Sequence, residues 1–282
     1  MATDNASAPL RGKTLFISGG SRGVGLAIAR RVAQDGANIA LVAKTDEAHP
    51  KLPGTVHTAA KEIEEAGGQA LPIVGDIRDA EGVSDAVEQA VEEFGSVDIV
   101  VNNASAIDLS GTEELEVKSY DLMQNINARG TFVVTKACLP HLEKSDKNPH
   151  VLTLSPPLNL DPQWLAAHVG YTISKYNMSM LTLGWAEEFR EDGIAFNSLW
   201  PRTMIATAAV MNLLGGEEAM ARSRNPEILA DAAHAILSRP SREYTGNFFI
   251  DEEVLAEEGI IDLERYRADS EGGELAIDLF LD

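Results

Sequence analysis

The sequence has a single cysteine, Cys138, among 282 residues. One cysteine cannot form an internal disulfide framework or a metal site made of cysteine alone. This composition is consistent with a reducing compartment. Cys138 lies in the mostly apolar run 131–139, so we expect a small buried side chain rather than a reactive nucleophile.

Basic residues are also scarce. Lysine and arginine total 23 residues against 44 aspartates and glutamates, which gives a formal net charge of −21. Such a charge repels nucleic-acid phosphates and anionic membranes, so we expect neither as a partner. From Asp251 onward only Arg265 and Arg267 are basic, and we interpret residues 251–282 as an acidic C-terminal extension with a solvated surface. The apolar residues expected to pack this extension back onto the domain are Leu275, Ile277, Leu279 and Phe280.

Long hydrophobic runs are missing as well. No apolar run approaches the roughly 18 residues needed to cross a bilayer, and no charged-then-apolar leader opens the sequence. The six histidines show no metal-ligand spacing with acidic partners, so we expect no metal site. We therefore expect a soluble, cytoplasmic protein.

Short apolar runs alternate with amphipathic segments along the whole chain. Seven runs have the length and composition of strands: 14–18, 38–43, 70–75, 98–102, 150–155, 194–199 and 247–250. Near-continuous apolar strands separated by helices indicate a parallel sheet covered on both faces. Because no proline- or serine-rich linker divides the chain, we predict a single doubly wound α/β domain of the Rossmann type over residues 1–282. Residues 44–56 and 156–168 interrupt the alternation and are interpreted as loops over a site.

A glycine-rich turn follows the first predicted strand and precedes a helical pattern. It consists of Ser18, Gly19, Gly20, Ser21, Arg22, Gly23, Val24 and Gly25. Glycines let the backbone turn tightly and approach a pyrophosphate, which the first N–H groups and the dipole of the helix then stabilise. We predict a dinucleotide site here, and an ordinary tight turn is the alternative.

Tyr171 and Lys175 stand four residues apart in a segment whose later apolar positions are typical of a helix. This spacing places both side chains on one helix face. A lysine ammonium beside a phenol lowers a pKa that starts near ~10, so we expect the tyrosine to exchange protons near neutrality. For this pair alone, an exposed Tyr–Lys pair on a surface helix stays an alternative.

Several motifs in order resemble the short-chain dehydrogenase/reductase family over roughly residues 12–250. After the glycine turn they are Gly75-Asp76-Ile77, Asn102-Asn103-Ala104-Ser105, Asn127-Ala128-Arg129-Gly130, Tyr171-x-x-x-Lys175 and Pro201. The resemblance implies an oxidoreductase that interconverts a carbonyl and an alcohol with a nicotinamide cofactor. It also implies a homodimer or homotetramer.

Further segments resemble one branch of that family, whose animal members carry an additional C-terminal sterol-carrier domain. These segments are 43–45, 49–55, 154–160, 178–188, 199–201 and 245–252. The sequence ends at Asp282 without a peroxisomal Ser-Lys-Leu ending, so we expect neither the extra domain nor that cellular address.

The resemblance also implies roles for four catalytic residues. Tyr171 exchanges a proton with the substrate, and Lys175 tunes that tyrosine and binds the nicotinamide ribose. Asn127 belongs to the helix that leads a proton relay through water to the lysine. Ser155 is followed by Pro156, where most relatives have a second serine, so Ser155 is either catalytic or a strand-end hydroxyl that satisfies the loop.

The residues after the second predicted strand favour NADP(H) over NAD(H). The segment 43–45 contains no carboxylate that would bind a ribose 2′-hydroxyl and repel a 2′-phosphate. Lys44 and Arg22 are instead two cations in an otherwise acidic protein, and a bound phosphate explains them better than solvation alone.

The resemblance adds further cofactor contacts. They are Asp76 at the adenine edge, Ile77 beside the adenine face, and Asn103 and Ala104 beneath the adenine-side ribose. Past Pro201 relatives usually have a glycine and then a threonine that binds the carboxamide. Here Arg202 replaces the glycine, and either Thr203 or Thr207 supplies the hydroxyl.

We therefore predict an NADP(H)-dependent oxidoreductase acting on a small carbonyl or alcohol substrate of apolar or lipid-like character. Apolar residues in the segments that flank the site in relatives suggest this substrate class, although all of them would also suit a core: Trp164, Leu165, Met204, Ile205, Met211 and Leu214. The alternative is a non-catalytic NADP(H)-binding sensor, which Pro156 at the usual serine position motivates.

Overall fold

A computed structural model describes residues 8–48 and 54–281 of the protein. Residues 49–53 of the predicted loop 44–56 and the terminal Asp282 lie outside the described residues. Seven strands form one sheet with the order β3-β2-β1-β4-β5-β6-β7, and every pairing is parallel. The strands are β1 (Thr14–Ser18), β2 (Asn38–Ala43), β3 (Gln69–Val74), β4 (Ile99–Asn102), β5 (His150–Thr153), β6 (Ala195–Trp200) and β7 (Phe248–Ile250). The predicted doubly wound α/β fold is confirmed.

The strand order reverses next to β1, and this reversal places the site. The chain moves outward from β1 through β2 to β3, and then returns to pair β4 with the other edge of β1. A crevice forms where the connections diverge, at the carboxyl ends of the strands, and ligands of open α/β sheets bind there. Both β1 and β4 are buried along their whole length, which explains their continuous apolar sequences.

Helices cover both faces of the sheet. They are α1 (Gly23–Ala33), α2 (Val56–Glu65), α3 (Ala80–Phe94), α4 (Val117–Met123), α5 (Thr131–Leu142), α6 (Pro162–Ala166), α7 (Val169–Glu188), α8 (Ala208–Leu213), α9 (Gly216–Ala221), α10 (Glu227–Ser238) and α11 (Asp251–Glu257). A π-helical turn, Gln124–Gly130, joins α4 to α5. In residues 8–48 and 54–281, no helix combines the length and hydrophobicity that a membrane crossing requires.

Helix α3 shows how local sequence sets these elements. The Asp79 side chain caps its first turn by accepting a hydrogen bond from the Glu81 N–H at 3.2 Å. Gly95 ends the helix in the left-handed region, with φ of 83°. The buried residues between these ends recur at helical spacing and pack on the sheet: Val83, Ala86, Val87 and Ala90.

The core is divided by the sheet. Helices α1, α2 and α10 pack on one face, and α3, α5 and the end of α7 pack on the other. Cys138 lies in the second of these clusters, where burial raises the pKa of its thiol. This confirms the prediction of a buried, unreactive cysteine.

A third, largely aromatic cluster packs the end of the C-terminal extension onto the domain. Phe280 and Leu281 are buried in it, and Leu275 and Leu279 are half-buried. The expectation for Ile277 is wrong, because its side chain is 56% exposed. Its backbone pairs with Thr203 as an antiparallel bridge, and strand alternation turns its side chain away from the domain.

His150, at the start of β5, makes stability depend on pH. Its buried Nε2 lies 3.0 Å from the Arg239 carbonyl oxygen, and burial lowers its pKa to about 4. Below the unfolded pKa of roughly 6.5, His150 is protonated in the unfolded chain but stays neutral in the folded chain. The stability contributed by neutral His150 is complete above that unfolded pKa. As the pH falls toward the folded pKa of about 4, the free energy of unfolding decreases by about 3 kcal/mol at most.

We predict that His150→Gln flattens the acid decline of the free energy of unfolding, since glutamine keeps a donor for the carbonyl but cannot titrate. Urea titrations of wild type and variant across that pH window measure the effect. Above the unfolded pKa of roughly 6.5 His150 is neutral in both states, so there the two proteins should show the same slope, which is the internal control. Equal slopes for His150→Gln and wild type below that pKa would contradict the assignment.

Candidate functional site

A cleft of about 920 Å³ opens at the carboxyl ends of the strands. Twelve of the seventeen predicted site residues line it: Gly19, Ser21, Arg22, Gly23, Val24, Lys44, Asp76, Ile77, Asn103, Ala104, Tyr171 and Lys175. The other five, all among the described residues, lie behind its wall: Ser18, Gly20, Gly25, Asn127 and Ser155. Residues far apart in sequence are thus gathered around one cavity.

The glycine turn is shaped by the side chain of Asn103, which follows β4. The Asn103 amide nitrogen donates to the carbonyl oxygens of Ser18 at 3.0 Å and Gly19 at 2.9 Å. A Cβ on Gly25 would lie 2.5 Å from that nitrogen and 2.6 Å from the Gly19 oxygen, so only glycine leaves room for it. Gly19 also has φ of 73° and contacts Ala104 closely. Gly25 therefore supports the turn from behind.

Ser18 has a supporting role too. Its Oγ accepts hydrogen bonds from the N–H groups of Asn103 and Ala104, each at 3.2 Å. These bonds tie the end of β1 to the segment that follows β4. The two strands on either side of the crevice are consequently held in one arrangement.

The N-terminus of α1 faces the cleft without a cap of its own. Arg22 occupies the N-cap position but makes no side-chain capping bond, and the first turn carries no acidic residue. The first N–H groups of a helix otherwise need an acceptor, and the helix dipole favours an anion there. This end of the cleft suits a phosphate group.

Cations gather beyond the end of β2. The Arg22 guanidinium donates through Nη2 to Thr45 Oγ1 at 2.6 Å and to the Gly54 carbonyl at 3.2 Å. Its Nε is buried and has no hydrogen-bond partner among the described residues. Lys44 Nζ lies 3.2 Å from Asp76 Oδ2. Both predicted cations therefore border the same part of the cleft.

Arg78 was not predicted, and it determines the charge of Asp76. Its guanidinium donates to both carboxylate oxygens and holds the pKa of Asp76 well below its usual range. The signal was present in the sequence, since Arg78 stands two residues after Asp76. Because Asp76 is paired with Arg78 and Lys44, its negative charge is largely neutralised.

Tyr171 and Lys175 lie one turn apart on α7 and are both buried, with 5% and 3% of their surfaces exposed. Lys175 Nζ donates to the Leu154 carbonyl at 2.7 Å and lies 5.1 Å from the centre of the Trp200 ring. Burial lowers the pKa of Lys175 to about 7, against the opposing effect of the Asp278 carboxylate. The lysine is thus poised to gain or lose a proton near neutral pH.

The expected lowering of the Tyr171 pKa is wrong. Burial raises that pKa, and the nearby Asp278 carboxylate raises it further. Removing the phenolate from water raises its free energy by more than the partly neutral Lys175 lowers it. The Tyr171 phenol is therefore protonated at neutral pH, which is the form that donates a proton.

The Asn127 side chain is wholly occupied with structural hydrogen bonds. It accepts from the Ala106 N–H at 2.7 Å, and donates to the Ala106 carbonyl at 2.9 Å and to Ser174 Oγ at 2.8 Å. These bonds join the segment after β4 to α7. Asn127 lies in the π-helical turn, a local departure from α-helical bonding that is frequent at functional sites.

Ser155 does not line the cleft. Its hydroxyl is fully buried and lies 3.0 Å from Ser198 Oγ on β6. The bond links two neighbouring strand ends behind the wall of the cleft. Of the two threonines considered for the carboxamide, Thr207 lines the cleft and Thr203 does not. The Thr203 hydroxyl is buried and has no partner in the part of the chain that the structure describes.

The C-terminal extension contributes two wall residues that the sequence did not reveal, Asp278 and Leu279. They stand about a hundred positions beyond the Tyr–Lys pair, so no local spacing connects them to it. Of the apolar residues predicted near the substrate, Ile205 and Leu214 line the cleft. Met211 lines an adjoining cavity of about 440 Å³. Across residues 8–48 and 54–281, no cluster of three or more potential metal ligands occurs.

The contact between Gly25 and Asn103 yields a test of the turn. Gly25→Ala should lower stability and abolish dinucleotide binding, because its methyl group forces Asn103 and the Gly19 carbonyl apart. Gly184→Ala is the matched control. Like Gly25, Gly184 lies in a helix, but it is exposed and a Cβ there meets nothing within 4 Å. We expect the control to gain roughly 0.5–1 kcal/mol of stability. Unchanged cofactor titrations for Gly25→Ala would contradict the arrangement.

Known proteins share this architecture. Residues 13–217 match the model of the short chain dehydrogenase family. The chain is 57% identical to hydroxysteroid dehydrogenase-like protein 2 of Danio rerio over 273 residues, which cover 97% of this chain and 65% of that protein. The chain therefore spans somewhat less than two thirds of the length of that relative.

Two solved structures show how far the likeness extends. A short chain dehydrogenase from Mycobacterium thermoresistibile is 62% identical, with a TM-score of 0.91 over 97% of this chain and 96% of that one. An NADH-dependent reductase complexed with NAD is 25% identical, with a TM-score of 0.68 over 86% and 96% of the two chains. On the strength of the family match and these identities, the chain belongs to the short-chain dehydrogenase family of oxidoreductases.

Proposed function

We propose that the protein is an NADP(H)-dependent oxidoreductase that interconverts a carbonyl and an alcohol on an apolar or lipid-like substrate. One observation carries the proposal: a single cleft joins the glycine turn to the buried Tyr171–Lys175 pair. Family membership supports the reaction class. The reductase complexed with NAD supports a nicotinamide dinucleotide as the cofactor.

The residues present fit such a dinucleotide. Gly19 lines the cleft with left-handed backbone and leaves no room for a Cβ beside Ala104, α1 begins without a side-chain cap, and the Arg22 Nε has no partner among the described residues. The turn from Ser21 to Val24 would hold the phosphates. The adenosine half would contact Asp76, Ile77, Asn103 and Ala104.

The nicotinamide half would lie between Lys175 and Thr207, both in the cleft wall. Bound there, the cofactor would supply or accept the hydride. Lys175 would bind the ribose as well as act on Tyr171.

The charge around Lys44 favours NADP(H). Residues 43–45, at the end of β2, carry no carboxylate, and Thr45 adds a hydroxyl beside Arg22. Asp76 is already paired with Arg78 and Lys44, so it offers little repulsion to a 2′-phosphate. Two cations and a hydroxyl would bind that phosphate with charge-assisted hydrogen bonds.

Proton transfer follows from the burial of Tyr171. In the reductive direction its neutral phenol donates a proton from Oη to the carbonyl oxygen, and a phenolate is left. The Lys175 ammonium stabilises that phenolate and, with its pKa about 7, can return a proton to it. Because the Ser155 hydroxyl is bonded to Ser198 behind the wall, we propose Tyr171 as the direct donor and a structural role for Ser155.

Asn127 would keep these groups in place. Its amide bridges Ala106 and Ser174, so the wall after β4 cannot move away from α7. The lining of the cleft also includes the apolar side chains of Ile107, Ile205 and Leu214. This lining supports an apolar substrate.

We also propose a homodimer or homotetramer. Exposed apolar side chains lie along α7 at helical spacing: Ile173, Met180 and Leu183. Phe132 of α5 is exposed as well. Such faces are typical of association surfaces. The single buried cysteine supports a cytoplasmic location.

Tyr171→Phe should abolish turnover while leaving NADPH binding nearly intact, because it removes the proton donor and little volume. Oxidation of NADPH by ketones and aldehydes, and reduction of NADP⁺ by alcohols, measure turnover in the two directions. Fluorescence titration measures binding. Tyr176→Phe is the matched control, since its hydroxyl bonds to the Asn159 carbonyl and lies outside the cleft. Normal rates for Tyr171→Phe would overturn the chemistry. Tight NADPH binding by wild type without any turnover would favour a non-catalytic sensor.

Lys44→Ala should weaken NADPH binding by roughly tenfold or more and NADH binding hardly at all, because the lost contact is to a phosphate that only NADPH carries. Paired titrations with the two reduced cofactors measure the difference. Lys118→Ala, at an exposed lysine outside the cleft, controls for net charge. Equal weakening toward both cofactors would contradict the NADP(H) assignment.

A further inference from the structure

The end of the C-terminal extension pairs with the segment after β6 at the wall of the cleft, through an isolated antiparallel bridge. The Met204 N–H donates to the Ala276 carbonyl at 2.9 Å, and the Asp278 N–H donates to the Arg202 carbonyl at 3.1 Å. The Trp200 indole Nε1 donates to the Leu279 carbonyl at 2.9 Å. The backbone of residues 276–279 is therefore fixed against the segment that follows β6.

Phe280 anchors this segment. Its backbone is left-handed, with φ of 73°, which is unfavourable for a bulky residue. Its buried ring compensates by packing 5.3 Å from the Tyr176 ring, 5.9 Å from the Trp200 ring and 6.2 Å from the Tyr171 ring. This packing holds Asp278, two residues earlier, at the wall beside Tyr171.

Asp278 presents an uncommitted oxygen to the cleft. Its Oδ1 accepts a hydrogen bond from the Leu279 N–H at 2.7 Å. Its Oδ2 has no hydrogen-bond partner among the described residues and is not fully buried. Because Asp278 lines the cleft, this oxygen is accessible from there. Burial raises the pKa of Asp278 to about 6 and Lys175 opposes that shift, so the carboxylate is ionised at neutral pH.

We propose that Asp278 is the polar recognition group for the substrate, and that its free oxygen accepts a hydrogen bond from a donor group, a hydroxyl or protonated amine, carried near the reacting carbonyl. The inference rests on the proposed function and adds a substrate class to it. The site prefers hydroxy- or amino-substituted apolar ketones. Unsubstituted ketones and ketones that bear a carboxylate are disfavoured.

The surroundings of Asp278 support a donor rather than an anion as its partner. Leu279 and Trp200 line the cleft with Asp278, and the Trp200 indole N–H is already bonded to the Leu279 carbonyl. Lys175, whose charge acts on Asp278, donates to the Leu154 carbonyl rather than to Oδ2. A substrate without a donor would cover an ionised oxygen and leave it unsatisfied, and a substrate carboxylate would be repelled. Sites that pair a polar group with a substrate hydroxyl discriminate strongly against the analogue that lacks it.

The experiment uses three ketones of similar size: 2-hydroxyacetophenone, propiophenone and phenylglyoxylate. Binding of each to NADPH-loaded Tyr171→Phe is measured by NADPH fluorescence, with and without a second change, Asp278→Asn. We expect the hydroxyketone to bind roughly 10- to 100-fold more tightly than propiophenone, and Asp278→Asn to remove most of that preference. Glu274→Gln, an exposed acidic position on the same segment, should leave it unchanged.

Several outcomes overturn the proposal. The first is the same preference for the hydroxyketone over propiophenone with and without Asp278→Asn, and the second is no binding of either neutral ketone to the NADPH-loaded protein. The third is that Asp278→Asn weakens NADPH binding alone, which would assign Asp278 to the cofactor. Since the binding test uses a variant without the proton donor, it separates this inference from the proposed reaction. Turnover by the proteins that retain Tyr171 tests the reaction itself.

Discussion

The close approach of the segment after β4 to the glycine turn is the contact on which the site depends. Asn103 places its amide where side chains at positions 19 and 25 would otherwise stand, and Ser18 bonds back to the same segment. The contact spans the point at which the strand order reverses. It therefore joins the two halves of the sheet and sets the width of the crevice between them.

The charged groups of the crevice lie in two regions that differ in their exposure to water. Around the end of β2 the charges are partly solvated and paired, with Asp76 between Lys44 and Arg78. At the other end, Tyr171 and Lys175 are buried and Asp278 is half-buried, and desolvation dominates the pKa values of all three. The first region is suited to binding a charged ligand, and the second to moving a proton.

The C-terminal extension links stability to the site. An acidic segment of low local hydrophobicity would remain solvated on composition alone. Here backbone bonds to the Arg202–Met204 segment and the aromatic contacts of Phe280 hold its last residues in place. The same contacts bring a carboxylate to the buried tyrosine and raise the pKa of its phenol.

Local sequence determined much of this protein. Apolar runs bounded by turn residues located the seven strands within a residue or two, because strand burial demands such runs. The glycine turn and the Tyr171–Lys175 spacing marked both ends of one cleft, since each follows from short-range geometry.

Other features were decided only by the tertiary structure. Burial, which depends on the whole fold, reversed the expected direction of the Tyr171 pKa. The hydroxyl of Ser155 found its partner on a neighbouring strand and not in the cleft. Strand alternation exposed Ile277 and placed Asp278 at the wall, through a pairing with a segment more than seventy residues away. Sequence patterns report local periodicity and spacing, whereas desolvation and long-range pairing arise only when distant segments meet.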